Sequence, residues 1–181
     1  MKRGRLLLIR HGESTWNAAG RWQGWGDPPL SERGRGEAES LAARLEGRGI
    51  VRLVSSDLAR AAETAGIVGR ALGLAPQIDA RLRERDLGLW SGLTEPEIRA
   101  AFPEELAGFR ARAADLRPGG GESRSDFVAR VMPSLLALAE EIRGEDVVVV
   151  THLGVMRLVA PELRPGNAEI VAIDAARVLG P

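Results

Sequence analysis

The sequence predicts an α/β fold: a three-layer sandwich with a mostly parallel central sheet, helices on both faces and a small helical cap insertion. Three observations carry this. Short unbroken apolar runs, led by Leu6-Leu7-Leu8-Ile9 and Val147–Val150, read as strands buried on both faces. Segments with apolar residues at helical spacing alternate with those runs. Between about residues 83 and 121 the alternation stops and helices and loops take over. That pattern predicts a cap inserted into a single domain spanning 1–181, and 181 residues is an ordinary length for one domain.

Leu6–Ile9 is the first strand. Ser31 is placed to N-cap a helix that buries Ala38, Leu41, Ala42 and Leu45 and stops near Gly47 and Gly49. Ile50–Val54 is the second strand and ends at Ser55-Ser56. Asp57 opens a helix to about Gly73, with Leu58, Ala61, Ala62, Ala65, Val68 and Leu72 facing the core. Gln77-Ile78-Asp79 is a short third strand. Thr94 to Glu97 forms a T-x-x-E capping box for a helix up to Phe102. Pro103 separates it from a helix over Glu104–Arg112, and Pro118–Gly121 is a loop. Ser125–Arg143 is a long amphipathic helix that Pro133 should bend or divide. Val147–Val150 is the central strand, followed by a short helix over Gly154–Val159. Ile170–Ile173 and Val178-Leu179 read as two edge strands around a turn.

Composition narrows the function. Lys+Arg and Asp+Glu are both 25, so the chain lacks the basic excess of a general nucleic-acid binder. No cysteine is present, which excludes disulfides, thiolate metal sites and thiol nucleophiles. The only histidines are His11 and His152, too few for a three-histidine zinc site, and there is no H-E-x-x-H; neither metal nor cofactor is expected. Lys2 is the sole lysine, so arginine is common everywhere and counts only where its position is special. No apolar run reaches membrane-spanning length, and Leu6–Ile9 is too short for a signal peptide. The expectation is a cytoplasmic protein without membrane contact.

In open α/β sheets ligands bind beyond the carboxyl ends of the strands. Arg10-His11-Gly12-Glu13 follows the first strand, Ser55-Ser56-Asp57 with Arg60 the second, and Thr151-His152 the central one. Arg10 and Arg60 offer planar forks of fixed charge that suit a phosphoryl group. Asn17 adds a donor, and a helix N-terminus near Arg60 would add backbone donors. One neutral imidazole can attack phosphorus while the other holds phosphoryl oxygens. Two arginines and a protonated histidine would meet the charge without a metal. A general acid is also needed. Glu84, with Asp86 close by, is the candidate, although Arg83–Asp86 alone reads as a solvated charged turn.

The string Leu8-Ile9-Arg10-His11-Gly12-Glu13-Ser14-Thr15-Trp16-Asn17 resembles the signature of the histidine phosphatase superfamily, also called the phosphoglycerate mutase-like family. Gly24-Trp25-x-Asp27-x-Pro29-Leu30-Ser31, Ser55-Ser56-Asp57-Leu58-x-Arg60-Ala61-x-x-Thr64-Ala65, Leu82-x-Glu84 with Gly88-x-Trp90-x-Gly92, Gly120-Gly121-Glu122-Ser123 and Val150-Thr151-His152 resemble further family segments, in the family's order. The pattern is similar to the small phosphatase branch, including α-ribazole phosphatases and broad-specificity phosphatases. The resemblance implies His11 as the nucleophile forming a phosphohistidine and Glu84 as the acid and then the base. It implies Arg10, Asn17, Arg60 and His152 as phosphate ligands, with further contacts around Gln23, Gly24 and Leu153, and no metal. Leu153 stands where the family favours glycine, so strain is expected if that position needs positive φ. Ser91 replaces a usual glutamate. The segment after Arg157 is short, which bears on the cleft rim or on a homodimer surface.

The resemblance therefore implies a phosphomonoesterase acting on a small phosphorylated metabolite. Mutases of the family return the phosphoryl group to a bound product and generally carry larger caps and longer tails, so a phosphoglycerate mutase is the alternative. A binding module without turnover would be expected to have lost His11, Arg60, Glu84 or His152, and all four are present.

Overall fold

In the computed structural model, which describes residues 4–179, five strands form one sheet in the order β3-β2-β4-β1-β5. They are β1 (Arg5–Arg10), β2 (Arg52–Ser55), β3 (Gln77–Ile78), β4 (Val147–Thr151) and β5 (Ile170–Asp174). β1 runs parallel to β4, pairing Leu6 with Val147 and Arg10 with Thr151. β2 is parallel to both β4 and β3, and β5 closes the far edge antiparallel to β1.

The apolar runs follow from burial on both faces. Successive side chains on a strand point to opposite sides. Leu6, Leu8, Val147 and Val149 therefore meet α6 (Arg124–Glu141), α7 (Leu153–Val159) and α8 (Ala175–Leu179). Leu7, Ile9, Val148 and Val150 meet α2 (Glu32–Leu45) and α3 (Ala59–Leu72) on the other face. This is the three-layer arrangement the sequence predicts. No helix among the described residues is long and apolar enough to cross a membrane.

Most boundaries move by a residue or two. Ser31 caps α2 as expected, accepting from the Gly34 N–H at 3.0 Å. A short helix, α1 (Thr15–Ala18), is additional; its Ser14–Asn17 capping box encodes it locally. The Pro133 expectation is corrected: α6 continues through it. The proline ring sits on the exposed side, and so does Ala129, whose carbonyl loses its helical donor. Val178-Leu179 is also corrected. It is not a strand but the end of α8, whose buried Val178 packs into the α6 face of the core.

Residues 83–121 contain no strand. They carry α4 (Glu95–Ala101), α5 (Pro103–Arg110) and two 3₁₀ turns, Gly88–Trp90 and Pro118–Gly120. Their apolar residues form a cluster of their own around Leu87, Trp90, Ile98 and Leu106. Trp90 is fully buried, and its ring meets Trp22 edge-on at 5.6 Å and Phe109 at 5.4 Å. Gly88 and Gly119 both have positive φ and approach each other so closely that a Cβ on Gly88 would lie 2.1 Å from the Gly119 carbonyl oxygen. Glycine is required at that crossing. Among the described residues, two that are not glycine also have positive φ, Arg112 at 60° and Ala168 at 53°. Each conformation costs on the order of 1 kcal/mol.

Candidate active site

β1, β2 and β4 end on one side of the sheet, and their last residues deliver the polar groups there. A cleft of about 630 Å³ opens between the sheet's edge and the cap. Arg10, His11, Asn17, Gln23, Gly24, Arg60, Glu84 and Leu153 all line it. His152 lies directly behind, with its ring centroid 5.2 Å from that of His11. The structure thus brings these nine residues together at one end of the sheet, whereas Asp86, close to Glu84 in the sequence, does not line the cleft.

His11 sits just past β1, where its N–H donates to the Thr151 carbonyl at 3.0 Å. Its Nδ1 lies 2.7 Å from the Gly12 carbonyl oxygen, which can only accept, so Nδ1 carries the proton and Nε2 keeps its lone pair. Burial, with the Arg60 charge next, holds this imidazole well below its ordinary pKa. His11 is therefore a neutral imidazole of fixed tautomer. Thr64 on α3 braces the loop, accepting from the Gly12 N–H at 3.1 Å while its hydroxyl donates to the Arg60 carbonyl at 2.7 Å.

His152 is fully enclosed and its Nε2 meets the Ser56 hydroxyl at 2.9 Å; its Nδ1 has no partner. Burial first, then Arg60 and His11, push its pKa well down. Surrounded by cations the ring is neutral, and a proton on it needs a negative charge nearby, such as a phosphoryl group brings.

Arg60 is buried, and burial lowers its pKa to about 10, so it remains a cation at neutral pH. Its terminal nitrogens donate to the Gly26 carbonyl at 2.8 Å and the Gly24 carbonyl at 2.9 Å, while Nε is unpaired. Arg10 donates to the Pro165 carbonyl at 3.0 Å, and its Nε is likewise unpaired. The shortened segment after α7 thus reaches the site: Pro165 steadies Arg10 and Pro161 forms part of the rim. Asn17 Oδ1 serves the Ser14 N–H, and Gln23 Oε1 accepts from the Ser14 hydroxyl at 2.7 Å.

The helix N-terminus near Arg60 does not supply free donors in the expected way. The Ala59 N–H at the start of α3 donates to Asp27 at 2.6 Å. The helix start that faces the acid is that of α7, where the Gly154 N–H donates to Glu84 Oε2 at 2.9 Å. Leu153 is the first residue of α7 and is not among the described residues with positive φ, so the expected strain is absent.

Glu84 Oε1 accepts from the Arg85 N–H at 2.8 Å. Each oxygen keeps a further lone pair for a ligand. The backbone beneath it is held from two sides. Trp25 Nε1 and Arg130 both donate to the Glu84 carbonyl, at 2.8 and 3.0 Å. Arg130 also donates to the Arg81 and Arg83 carbonyls and forms a two-pronged pair with Glu122. Glu122 in turn accepts from the Asp86 N–H at 2.9 Å. Arg83 pairs with Asp57. The Arg83–Asp86 run is therefore a pinned, half-buried loop and not a solvated turn. Sequence reasoning missed Arg130 and also Asn167, whose side-chain amide donates to the His11 carbonyl at 3.0 Å. Neither lies in a quoted motif.

A parallel sheet with two histidines, two arginines and a carboxylate at the ends of its strands defines a phosphoryl-binding site of the histidine phosphatase kind. The chain belongs to the histidine phosphatase superfamily (branch 1), whose model matches residues 6–172. It is 40% identical over 171 residues to glucosyl-3-phosphoglycerate phosphatase of Mycobacterium tuberculosis, covering 90% of this chain and 76% of that protein. It is 41% identical over 156 residues to a 2,3-bisphosphoglycerate-dependent phosphoglycerate mutase of Allorhizobium ampelinum, covering 82% and 74%. The fold matches the structure of mycobacterial glucosyl-3-phosphoglycerate phosphatase in complex with VO3 with a TM-score of 0.82 at 36% identity, covering 93% of this chain and 92% of that one.

Proposed function

We propose that this protein is a metal-independent phosphomonoesterase that hydrolyses a small phosphorylated metabolite through a phosphohistidine on His11. The single observation that carries the reading is the fixed tautomer of His11: a neutral ring, Nδ1–H tied to Gly12, beside two arginines with unpaired Nε groups. His11 Nε2 attacks phosphorus, the P–O bond to the leaving group breaks, and Glu84 gives that oxygen its proton. Water then attacks phosphorus, the P–N bond breaks, and Glu84 takes the water's proton. Arg10, Arg60, Asn17 and His152 hold the phosphoryl oxygens, with Gln23, Gly24 and Leu153 beside them. The two arginines spread the transition-state charge, which is most of what phosphoryl transfer asks of a protein.

The chain acts as one domain, with residues 83–121 as the cap that sees the rest of the substrate. Its balanced charge suits a diffusing metabolite in the cytoplasm better than nucleic acid. The mutase reading is favoured only by the mutase relatives. Incubation with 3-phosphoglycerate, with and without 2,3-bisphosphoglycerate, separates the two: hydrolysis yields free phosphate, whereas predominant 2-phosphoglycerate reverses the assignment. Turnover of p-nitrophenyl phosphate in the presence of a chelator tests the enzyme reading itself. We expect turnover in the wild type and none above background in His11→Ala. Inactivity of the wild type across several phosphomonoesters would leave only a binding module.

A further inference from the structure

The chain between α7 and β5 returns to the place where β1 ends, and four of its residues hold the Arg10–His11 segment. The Pro165 carbonyl accepts from the Arg10 side chain at 3.0 Å, and the Glu169 carbonyl accepts from the Arg10 N–H at 3.3 Å. The Ala168 N–H donates to the Arg10 carbonyl at 2.9 Å, with the His11 carbonyl at 3.3 Å. Asn167 completes the set through its side chain, whose Nδ2 lies 3.0 Å from the His11 carbonyl oxygen and 3.3 Å from Asn17 Oδ1. Ala168 is buried and holds its φ at 53°. A residue with a side chain is strained in that region, and such strain gathers at functional sites. The turn made there brings the Ala168 N–H and the Asn167 amide to the same strand end.

The partners settle which way each amide faces. A backbone carbonyl can only accept, so Asn167 turns its nitrogen to His11. A backbone N–H can only donate, so Asn17 turns its oxygen to Ser14, at 3.1 Å. Asn167 Nδ2 carries two protons, and the second meets Asn17 Oδ1. The Ser14 hydroxyl lies near that oxygen too, at 3.2 Å, but its single proton goes to Gln23 Oε1 at 2.7 Å. Asn17 Oδ1 is thus held by donors from two separate parts of the chain, the start of α1 and the segment before β5. Its Nδ2 is left for the cleft that Asn17 lines. One bond from Ser14 would let the Asn17 amide swing about it, and the second fixes its plane.

We infer that Asn167 is a positioning residue: anchored on the His11 carbonyl, it holds Asn17 with the amide nitrogen toward the phosphoryl oxygens. One side chain thereby ties the backbone of the nucleophile to a ligand of the group that the nucleophile attacks. This rests on the reading above, in which Asn17 is among the phosphate ligands. A donor aimed before the ligand arrives has no ordering left to pay for when it binds.

The test is calorimetric titration with inorganic phosphate, a probe that needs no turnover, of the wild type, Asn17→Ala, Asn167→Ala and the double variant. Asn17→Ala removes a hydrogen bond to a charged ligand and should weaken phosphate about tenfold. Asn167→Ala leaves the Ala168 N–H on the Arg10 and His11 carbonyls, so the loop keeps its place. It is expected to weaken phosphate about threefold or more. In the Asn17→Ala background the same change should cost nothing further, because the group it aims is gone. Asn167→Asp is nearly the same size but puts an acceptor where the donor was, and it carries the cycle if Asn167→Ala does not fold. A loss caused by its charge alone would persist without Asn17, whereas a loss carried by the aimed amide would not. Unchanged affinity in both Asn167 variants, or losses of equal size with and without Asn17, would overturn the inference. Turnover of p-nitrophenyl phosphate is read separately. Turnover without coupling between Asn17 and Asn167 sinks only the positioning role, and coupling in a protein without turnover sinks only the hydrolase.

Discussion

The state of the His11 ring is set by its neighbours: the Gly12 carbonyl fixes the proton on Nδ1, and burial beside Arg60 keeps the ring uncharged. The same forces make stability depend on pH. Both histidines have folded pKa values below the ordinary 6.5. Under acid conditions the unfolded chain therefore binds more protons than the folded one. Stability is complete above pH 6.5 and falls as the pH drops through the lowered values, by about 1.4 kcal/mol for each unit of depression. Urea titrations at pH 7.5 and 5.5 should show this loss, and replacing both histidines by alanine should flatten it. Arg60 is harder to replace, because its side chain also satisfies the Gly24 and Gly26 carbonyls. Arg60→Ala is expected to lose activity and about 2–4 kcal/mol of stability together, read by p-nitrophenyl phosphate assay and chemical denaturation.

Among the elements, α7 and α6 act most directly on the acid. A Cβ on Gly154 would fall 2.0 Å from Glu84 Oε1. Helix propensity alone favours alanine there by about 1 kcal/mol, so the side chain of Glu84 yields and the fold does not. Gly154→Ala should keep or raise the melting temperature and lower kcat at least tenfold, on the order of losing an acid catalyst, with KM little changed. Arg130 on α6 is a positioning residue for the same carboxylate. Arg130→Met removes the donor shared by the Arg81, Arg83 and Glu84 carbonyls and strands Glu122. We expect a loss of about 2–4 kcal/mol and a lower kcat. Arg130→Lys should restore little, since one ammonium cannot reproduce the fork. These elements also show what the sequence makes legible. His11 and His152 each stand just past a short unbroken apolar run, so their place at the sheet edge follows from where those strands end. Arg60 and Thr64 stand one helical turn apart on the buried side of α3. Arg130 gives no such signal: it is one arginine among many, and the carbonyls it serves lie 46 to 49 residues earlier in the chain. Val178-Leu179 misled because an apolar pair fits an edge strand or a short helix equally well, and only packing against α6 decides.

For the whole molecule, zero net charge conceals a strong internal asymmetry. Positive charge gathers at the cleft between cap and sheet while ion pairs neutralise it elsewhere. The cap shapes that cleft, and Trp90 is the centre of the cap's own small core. Trp90→Ala should cost about 3–5 kcal/mol. It should also raise KM, because the cap walls lose their support; kinetics beside denaturation would register both effects. The account as a whole turns on a covalent bond to one nitrogen. Rapid quenching into base during turnover of p-nitrophenyl phosphate, followed by peptide mass spectrometry, measures it most directly. The account predicts a phosphoryl group on the peptide containing His11, stable in base, lost in acid and absent from His11→Ala. A phosphoryl group on His152 or on a serine instead, or full turnover by His11→Ala, would contradict it.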